Sequence, residues 1–327
     1  MERICSIPRE RKFDIIVGFS ICQEEVIRYD TIPRDENDKP LMSKIPVSSN
    51  HYIGGTAFDI AILLQTLGLK VKLLATVGQD EEGPGRQFIE RRLKKYTKIP
   101  YHLLPVRRGT SAARIVIEKG FDPIILSKKT GYLNIPIEEV REQAKKANPA
   151  LMIASGVMPE EIPMVEAMFN VRPEAPCFLN PRPELLKERS LFGKLLKLNP
   201  FIFLNHQELG VYLDTDIRED GVTKEIISQF HEAGADNVIV TCNEQGAIFS
   251  SEPLKLWIQQ PIIRFDEPVD KTGAGDSFLA AVIAAVLKKK SPEEMMLWGA
   301  TMAGLKVLRE GGANVPSLAE FEGALKR

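Results

Sequence analysis

Cysteine is scarce in this chain and never spaced for pairing. Cys5, Cys22, Cys177 and Cys242 stand far apart, form no C-x-x-C and have no histidines at metal-ligand spacing. That pattern excludes a zinc module and a disulfide framework and points to a reducing compartment, the cytoplasm. An excess of one charge is also missing. With 43 Lys and Arg against 44 Asp and Glu the net charge is −1, which leaves no electrostatic case for nucleic acid or an anionic membrane as partner. Long apolar runs are absent: the most apolar stretch, 278–287, is about half the length of a bilayer span. Residues 1–8 lack the apolar core of a signal peptide. The four histidines supply neither H-E-x-x-H nor a nucleophile dyad. Gly78 and Gly83 have the outer spacing of a P-loop, but Pro84-Gly85 stands where Lys-Ser/Thr is required. No G-x-G-x-x-G follows a strand, which weighs against a dinucleotide oxidoreductase.

What remains is a soluble globular composition, 44% hydrophobic and 27% charged. The pattern of elements is regular. Residues 13–18 form a short apolar run stopped by Gly18, a buried strand. Residues 25–32 alternate apolar with polar as a half-exposed strand does, and after the loop 33–40 a return strand is expected over 41–49. A buried helix (53–68), a strand (71–77) and a helix (86–95) follow. A second strand pair is expected at 111–117 and 122–127. From 137 onward helix and strand alternate: 137–147 and 150–154, 159–170 and 176–180, 185–198 and 201–205, 222–233 and 237–241, with a further strand at 245–250. Helices 276–290, 292–309 and 317–325 close the chain. This succession predicts a doubly wound, mostly parallel α/β domain with a small β lid. The α/β part is expected to comprise 1–25, 50–108 and 131–327, and the lid 26–49 and 109–130.

One stretch carries chemistry on its face. Gly273-Ala274-Gly275-Asp276 opens the apolar helix that ends before Lys288-Lys289-Lys290. Unpaired amides at a helix N-terminus, reached through glycines, make an anion site. A carboxylate in that site suits phosphoryl transfer: amides hold developing phosphate charge while Asp276 takes a hydroxyl proton. Taken alone, the same four residues also read as a tight turn with a capping Asp.

In its wording, however, Asp270-Lys271-Thr272-Gly273-Ala274-Gly275-Asp276-Ser277-Phe278 closely resembles the D-T-T-G-A-G-D-A/S-F signature of the ribokinase-like (PfkB) carbohydrate and nucleoside kinases. Weaker motifs of the same family follow its order from Gly54 to Gly312. Thr76-Val77-Gly78-Gln79-Asp80-Glu81-Glu82-Gly83 resembles its V-G-x-D-x-x-G loop. The resemblance implies an ATP-dependent sugar kinase with Asp276 as base, Gly273, Ala274 and Gly275 as the rest of the catalytic stretch, and the amides of Ala274, Gly275 and Asp276 as anion hole. It implies sugar contacts at Gly54, Gly55, Asp59 (where Asn is usual) and Arg182 of Asn180-Pro181-Arg182. The substrate Asp expected after Gly18 is missing, and Gln23 or Glu24 is its expected stand-in. Asn205 and Glu208 match an N-x-x-E motif that organises Mg²⁺, partly through water. Thr241, Asn243 (in place of Gly) and Gly246 match a nucleotide loop, and Gly311-Gly312-Ala313-Asn314 an adenine-side and cation loop. Asp270 and Thr272 match positions that hold K⁺ in relatives. A ketohexose such as fructose is the first expectation for the acceptor; 2-keto-3-deoxygluconate, ribose and a nucleoside are alternatives, as is a non-catalytic sensor on the same fold. A basic lid suited to a phosphorylated sugar would draw on Lys44, Arg107, Arg108, Lys128 and Lys129. The family's habit of pairing lids implies a homodimer.

Overall fold

The computed structural model describes residues 12–29, 48–79, 84–118, 124–128, 130–312 and 314–326. The expected loop 33–40, residues 41–47 of the expected return strand, Lys44, Asp80 to Gly83, the turn 119–123, Lys129 and Ala313 lie outside them.

The chain opens with strand β1 (Ile15–Ser20), then β2 (Cys22–Tyr29) and β3 (Ser48–Gly54). Helix α1 (Thr56–Thr66), β4 (Val71–Gly78), α2 (Pro84–Tyr96) and β5 (Tyr101–Arg107) follow. The second excursion is β6 (Ala112–Glu118) and β7 (Ile124–Lys128). Alternation then resumes with α3 (Ile137–Ala147), β8 (Leu151–Val157), α4 (Ile162–Phe169) and β9 (Cys177–Pro181). Next come α5 (Pro183–Lys187), α6 (Arg189–Leu196), β10 (Phe201–Asn205) and α7 (His206–Leu213). After α8 (Lys224–Glu232) and β11 (Asn237–Thr241), β12 (Ala247–Ser251) and β13 (Leu256–Gln260) run antiparallel. Helices α9 (Ala274–Leu287), α10 (Pro292–Lys306) and α11 (Leu318–Ala324) complete it.

Nine strands form the main sheet in the order β13-β12-β11-β10-β9-β8-β1-β4-β5. From β11 through β5 every neighbouring pair is parallel. Parallel strands need covering on both faces, and two apolar layers supply it. Ile15 and Val17 of β1 join a core with α1, α2, α9, α10 and α11, whereas Ile16 joins one with helices α3 to α8. Helix α9 is apolar all round and buried from Ser277 to Leu287, as a helix set between others must be. The architecture is the doubly wound, mostly parallel α/β sheet expected from the sequence.

The smaller sheet, β3-β2-β6-β7, stands apart from the large one. Its small core of Val26, Ile115 and Ile117 rests on Tyr52. Arg28 ties it to the body through an ion pair with Glu310 at 2.8 Å. It covers Cys22–Tyr29 and Ser48–Gly54, so it begins earlier and ends later than the lid span read from the sequence.

All seven parallel strands point the same way, so β1, β4, β8, β9, β10 and β11 deliver Cys22, Gly78, Gly156, Arg182, Asn205 and Thr241 to one edge. That carboxyl edge is where open α/β sheets bind ligands.

Candidate active site

Helix α9 starts at this edge. Its N-cap Gly273 is left-handed, with φ 76°, a conformation that costs Gly nothing. An added Cβ there would also come within 3.1 Å of the Gly312 Cα, so two backbones meet at this point. Ser277 donates its amide to the Gly273 carbonyl at 2.9 Å, and Ala274 donates to Lys271 at 3.2 Å. The expected three-amide anion hole is therefore reduced by one: Ala274 is engaged, and Gly275 and Asp276 keep the free N–H groups of the first turn among the described residues. A Cβ on Gly275 would meet nothing within 4 Å. Its bare Cα faces the space a phosphate would enter.

Asp276 is half-buried, and its carboxyl is raised to about 7. Desolvation raises it, the Arg182 charge draws it back, and Glu24 and Glu208 push it up again. A carboxylate poised near neutrality is what a general base requires. Glu208 is raised to about 7 by the same burial, opposed by the Asn205 amide and Arg182. Asp59 is only 4% exposed and is raised well above the ordinary range by burial, then by Glu24 and Asp276. The charges of Glu24 and Glu208 thus act on Asp276, those of Glu24 and Asp276 act on Asp59, and the cations Arg182 and Lys306 oppose them, so the titrations of these groups are linked.

The substrate side departs from expectation at Gln23. Strand alternation sends Gln23 and Glu24 to opposite faces of β2, and Glu24 is the one buried and acting on Asp59 and Asp276. Its carboxylate accepts the Gly55 amide and lies where a Gly54 Cβ would sit, 1.9 Å from the carboxyl carbon. Gly54 therefore makes room for Glu24. Gly55, at φ 98°, brings the chain against the Ser20 carbonyl, where a Cβ would come within 2.9 Å. Buried beside this turn, Thr56 Oγ1 and Asp59 Oδ1 have no hydrogen-bond partner among the described residues. Unsatisfied buried oxygens in a cleft are what a polyhydroxy ligand would satisfy.

Around Arg182 a small cavity is lined by Ser20, Cys22, Arg107, Ser111, Lys128 and Met158, among others. Arg107 is fixed in place: its guanidinium lies 4.2 Å from the Tyr132 ring centre and donates to Tyr132, Thr130 and Glu161. Asn180, which the motif placed beside Arg182, points inward instead, accepting from Ser155 and donating to the Phe203 carbonyl.

A second cavity, of about 300 Å³, is lined in part by Gly275. Asn205, Thr241, Asn243 and Gly246, four of the residues read as cofactor-binding, line it together with Lys271 and Ala274. Ile262, Ile263, Ala300, Ala303 and Val307 give it an apolar wall. Asn243 is left-handed at φ 42°, the conformation its replacement of Gly demands. Gly312 is not part of this wall; it sits against Gly273 and Asp59. Asn205 and Glu208 form a reciprocal capping box at 2.8 and 2.9 Å, so the helix-start reading of N-x-x-E holds as well. The second Glu208 oxygen has no protein hydrogen bond among the described residues.

Asp59 offers a test of this electrostatic picture. Its folded-state pKa is raised, so its contribution to stability is present at low pH and lost as pH rises through the folded pKa. Asp59→Asn removes the ionised form and is expected to raise the melting temperature of the ligand-free protein at pH 8 more than at pH 5, by scanning fluorimetry. An equal shift at both pH values would show that Asp59 is not held by burial among other acids.

Comparison with known proteins agrees with this geometry. The model of the pfkB family of carbohydrate kinases matches residues 21–318. A ribokinase of Haemophilus influenzae is 22% identical over 270 residues, 82% of this chain and 85% of that protein. A 2-dehydro-3-deoxygluconokinase of the same organism is 35% identical over 96 residues, 28% of this chain and 30% of its own length. The structure of Arabidopsis thaliana ribokinase complexed with ribose and ATP superposes with a TM-score of 0.71 at 18% identity, covering 96% of this chain and 99% of that one. Among the described residues no helix is long and apolar enough to cross a membrane.

Proposed function

The chain belongs to the pfkB family of carbohydrate kinases, and from that premise we propose that it transfers the γ-phosphoryl group of ATP to a hydroxyl of a small sugar bound beside Asp276. The single observation that carries this reading is the start of α9: a carboxylate raised to about 7 next to two amides unpaired among the described residues, with Ala274 and Gly275 lining a cavity of about 300 Å³. ATP occupies that cavity, its adenine on the apolar wall and its phosphates toward Gly275. Asp276 accepts the proton of the sugar hydroxyl, and the amides of Gly275 and Asp276 hold the charge that develops on the transferring group. Arg182 keeps Asp276 partly ionised. The β2–β3 and β6–β7 sheet shields the sugar from water, the competing acceptor.

Mg²⁺ suits the residues present. Among the described residues there is no group of three acidic, His or Cys ligands, and Mg²⁺ in such sites takes one or two carboxylates and borrows the rest from phosphates and water. Glu208, with its free oxygen, and Asn205 are the groups that would hold it. Bound there, it would neutralise phosphate charge.

ADP release measured across fructose, ribose, 2-keto-3-deoxygluconate and nucleosides tests the reading. Release that depends on one of them is expected. Nucleotide binding without release on any acceptor would leave a sensor in place of an enzyme.

Fructose is the acceptor expected from the sequence. A second reading is favoured by the cations Arg107, Lys128 and Arg182 around the small cavity: a sugar acid, as the name of the 2-dehydro-3-deoxygluconokinase relative also suggests. A charge-assisted hydrogen bond contributes about 1.5–3 kcal/mol, so the acid would be preferred by roughly 10–150-fold in kcat/KM. Equal use of fructose and the acid would rule the sugar-acid reading out.

We also propose a homodimer formed through the small sheet. Its edge strand β7 exposes Ile124, Ile125 and Leu126 at 55–57%, and a bare apolar edge invites pairing. Light scattering should give twice the mass of one chain, reduced to one chain by Ile125→Lys.

A further inference from the structure

Lys306 is the last residue of α10 and is 0% exposed. It lines neither cavity, and neither the nucleotide nor the sugar reading uses it. A buried ammonium is costly unless it is paired and hydrogen-bonded. Here its Nζ donates to the Arg309 carbonyl at 3.2 Å, and the charges of Asp270, Asp59 and Asp276 all act on it.

Its surroundings are those expected to hold potassium. Asp270, 6% exposed, accepts the Thr272 amide on one oxygen at 2.8 Å and the Gly311 amide on the other at 2.9 Å. The amides of Val269 and Asp270 both donate to the Val307 carbonyl, at 2.7 and 3.0 Å. The loop before α9 is thus laced to residues 307–311, and Lys306 sits at the root of that segment. Each Asp270 oxygen already serves a backbone amide, the buried Thr272 Oγ1 is left without a partner among the described residues, and the Asp270 charge acts on Lys306 without a direct ion pair. A potassium ion needs several free oxygens and would meet the Lys306 charge.

We propose that the Lys306 ammonium is a built-in cation that takes the place of a monovalent ion at Asp270. It holds the Asp270–Gly273 loop against the Gly311–Gly312 turn and so keeps the free amides of Gly275 and Asp276 aimed at the phosphate. Lys306 is a positioning residue, and the protein does not require potassium. The catalytic consequence rests on the kinase reading above; the ion-binding consequence does not.

Thermal unfolding of the wild-type protein in choline, sodium and potassium chloride at equal ionic strength needs no acceptor. A bound ion would raise the melting temperature selectively in potassium; equal temperatures in the three salts are expected. Where an acceptor supports ADP release, turnover is expected to be the same in choline and potassium. Potassium-specific stabilisation or activation of the wild type would overturn the proposal. Lys306→Met, which fills the space without the charge, is expected to lower kcat roughly 5–150-fold, the usual range for coupled sites, with the KM for ATP little changed. Lys306→Ala opens room for an ion, and potassium should then raise both its melting temperature and its turnover. Wild-type kcat in Lys306→Met would equally overturn the assignment. Should neither variant fold, the wild-type salt series still decides; absence of ADP release on any acceptor counts against the kinase reading alone.

Discussion

Asp276→Asn is expected to lower kcat by roughly 10²–10⁴, the usual worth of a positioned general base, while nucleotide still binds. Asn keeps the shape and volume of Asp and cannot take the proton. The pH profile separates this role from a structural one. Because burial raises Asp276 to about 7, the acid form dominates below that pH and the base is lost. Wild-type kcat/KM should therefore fall by about one decade per pH unit below neutrality, and the Asp276→Asn variant should lose that limb. Burial raises Glu208 to about 7 as well, so the limb is a property of the cluster until the variant is measured. Near wild-type turnover in Asp276→Asn, with the acid limb intact, would remove Asp276 from the chemistry.

The regular elements that carry the phosphate site were legible because they are buried on all sides. Helix α9 reads as apolar throughout, and β1, β8 and β10 as short apolar runs, since both faces of a parallel strand are covered. The two strands absent from the sequence reading are β5 and β13, which are the two edges of the main sheet. An edge strand is buried on one side and leaves a weaker pattern; in β5, Pro105 interrupts the run as well. Ile53 and Gly54, read as the start of a helix, complete β3 instead, because pairing with β2 overrides a local sequence that carries no clear alternation.

Site residues divide along a similar line. Gly273, Gly275, Asp276, Asn243 and Gly246 could be found because their requirements are local: a left-handed turn, a close approach, a first-turn carboxylate. Glu24 and Lys306 depend on partners distant in sequence. Nothing near Glu24 says that the bare Cα of Gly54 will receive its carboxylate, and periodicity alone does not separate it from Gln23. For Lys306 a signal was present. It is the sole ionisable residue between Trp298 and Leu308, and a lone lysine in an apolar helix must find a counter-charge.

Gly275→Ala should move stability and activity in opposite directions. Gly275 is a helical residue, and a methyl group at its Cα would meet no atom within 4 Å. Replacing Gly by Ala within a helix is worth up to about 0.5–1 kcal/mol. In a chain of this size the melting temperature should then hold or rise by up to about 1.5 °C. The same methyl would occupy the space between the first-turn amides and the nucleotide cavity, where the transferring phosphoryl group has to approach. Losing one such donor contact typically costs about 10²–10³ in kcat, and a loss of that order is expected, measured by ADP release at saturating ATP. Gly273 would behave otherwise. Its left-handed φ and its contact with Gly312 make Ala costly to the fold itself, so stability and activity should fall together. A Gly275→Ala variant with undiminished turnover would place the phosphate away from the start of α9; a destabilised one would show that the space above Gly275 is filled by protein.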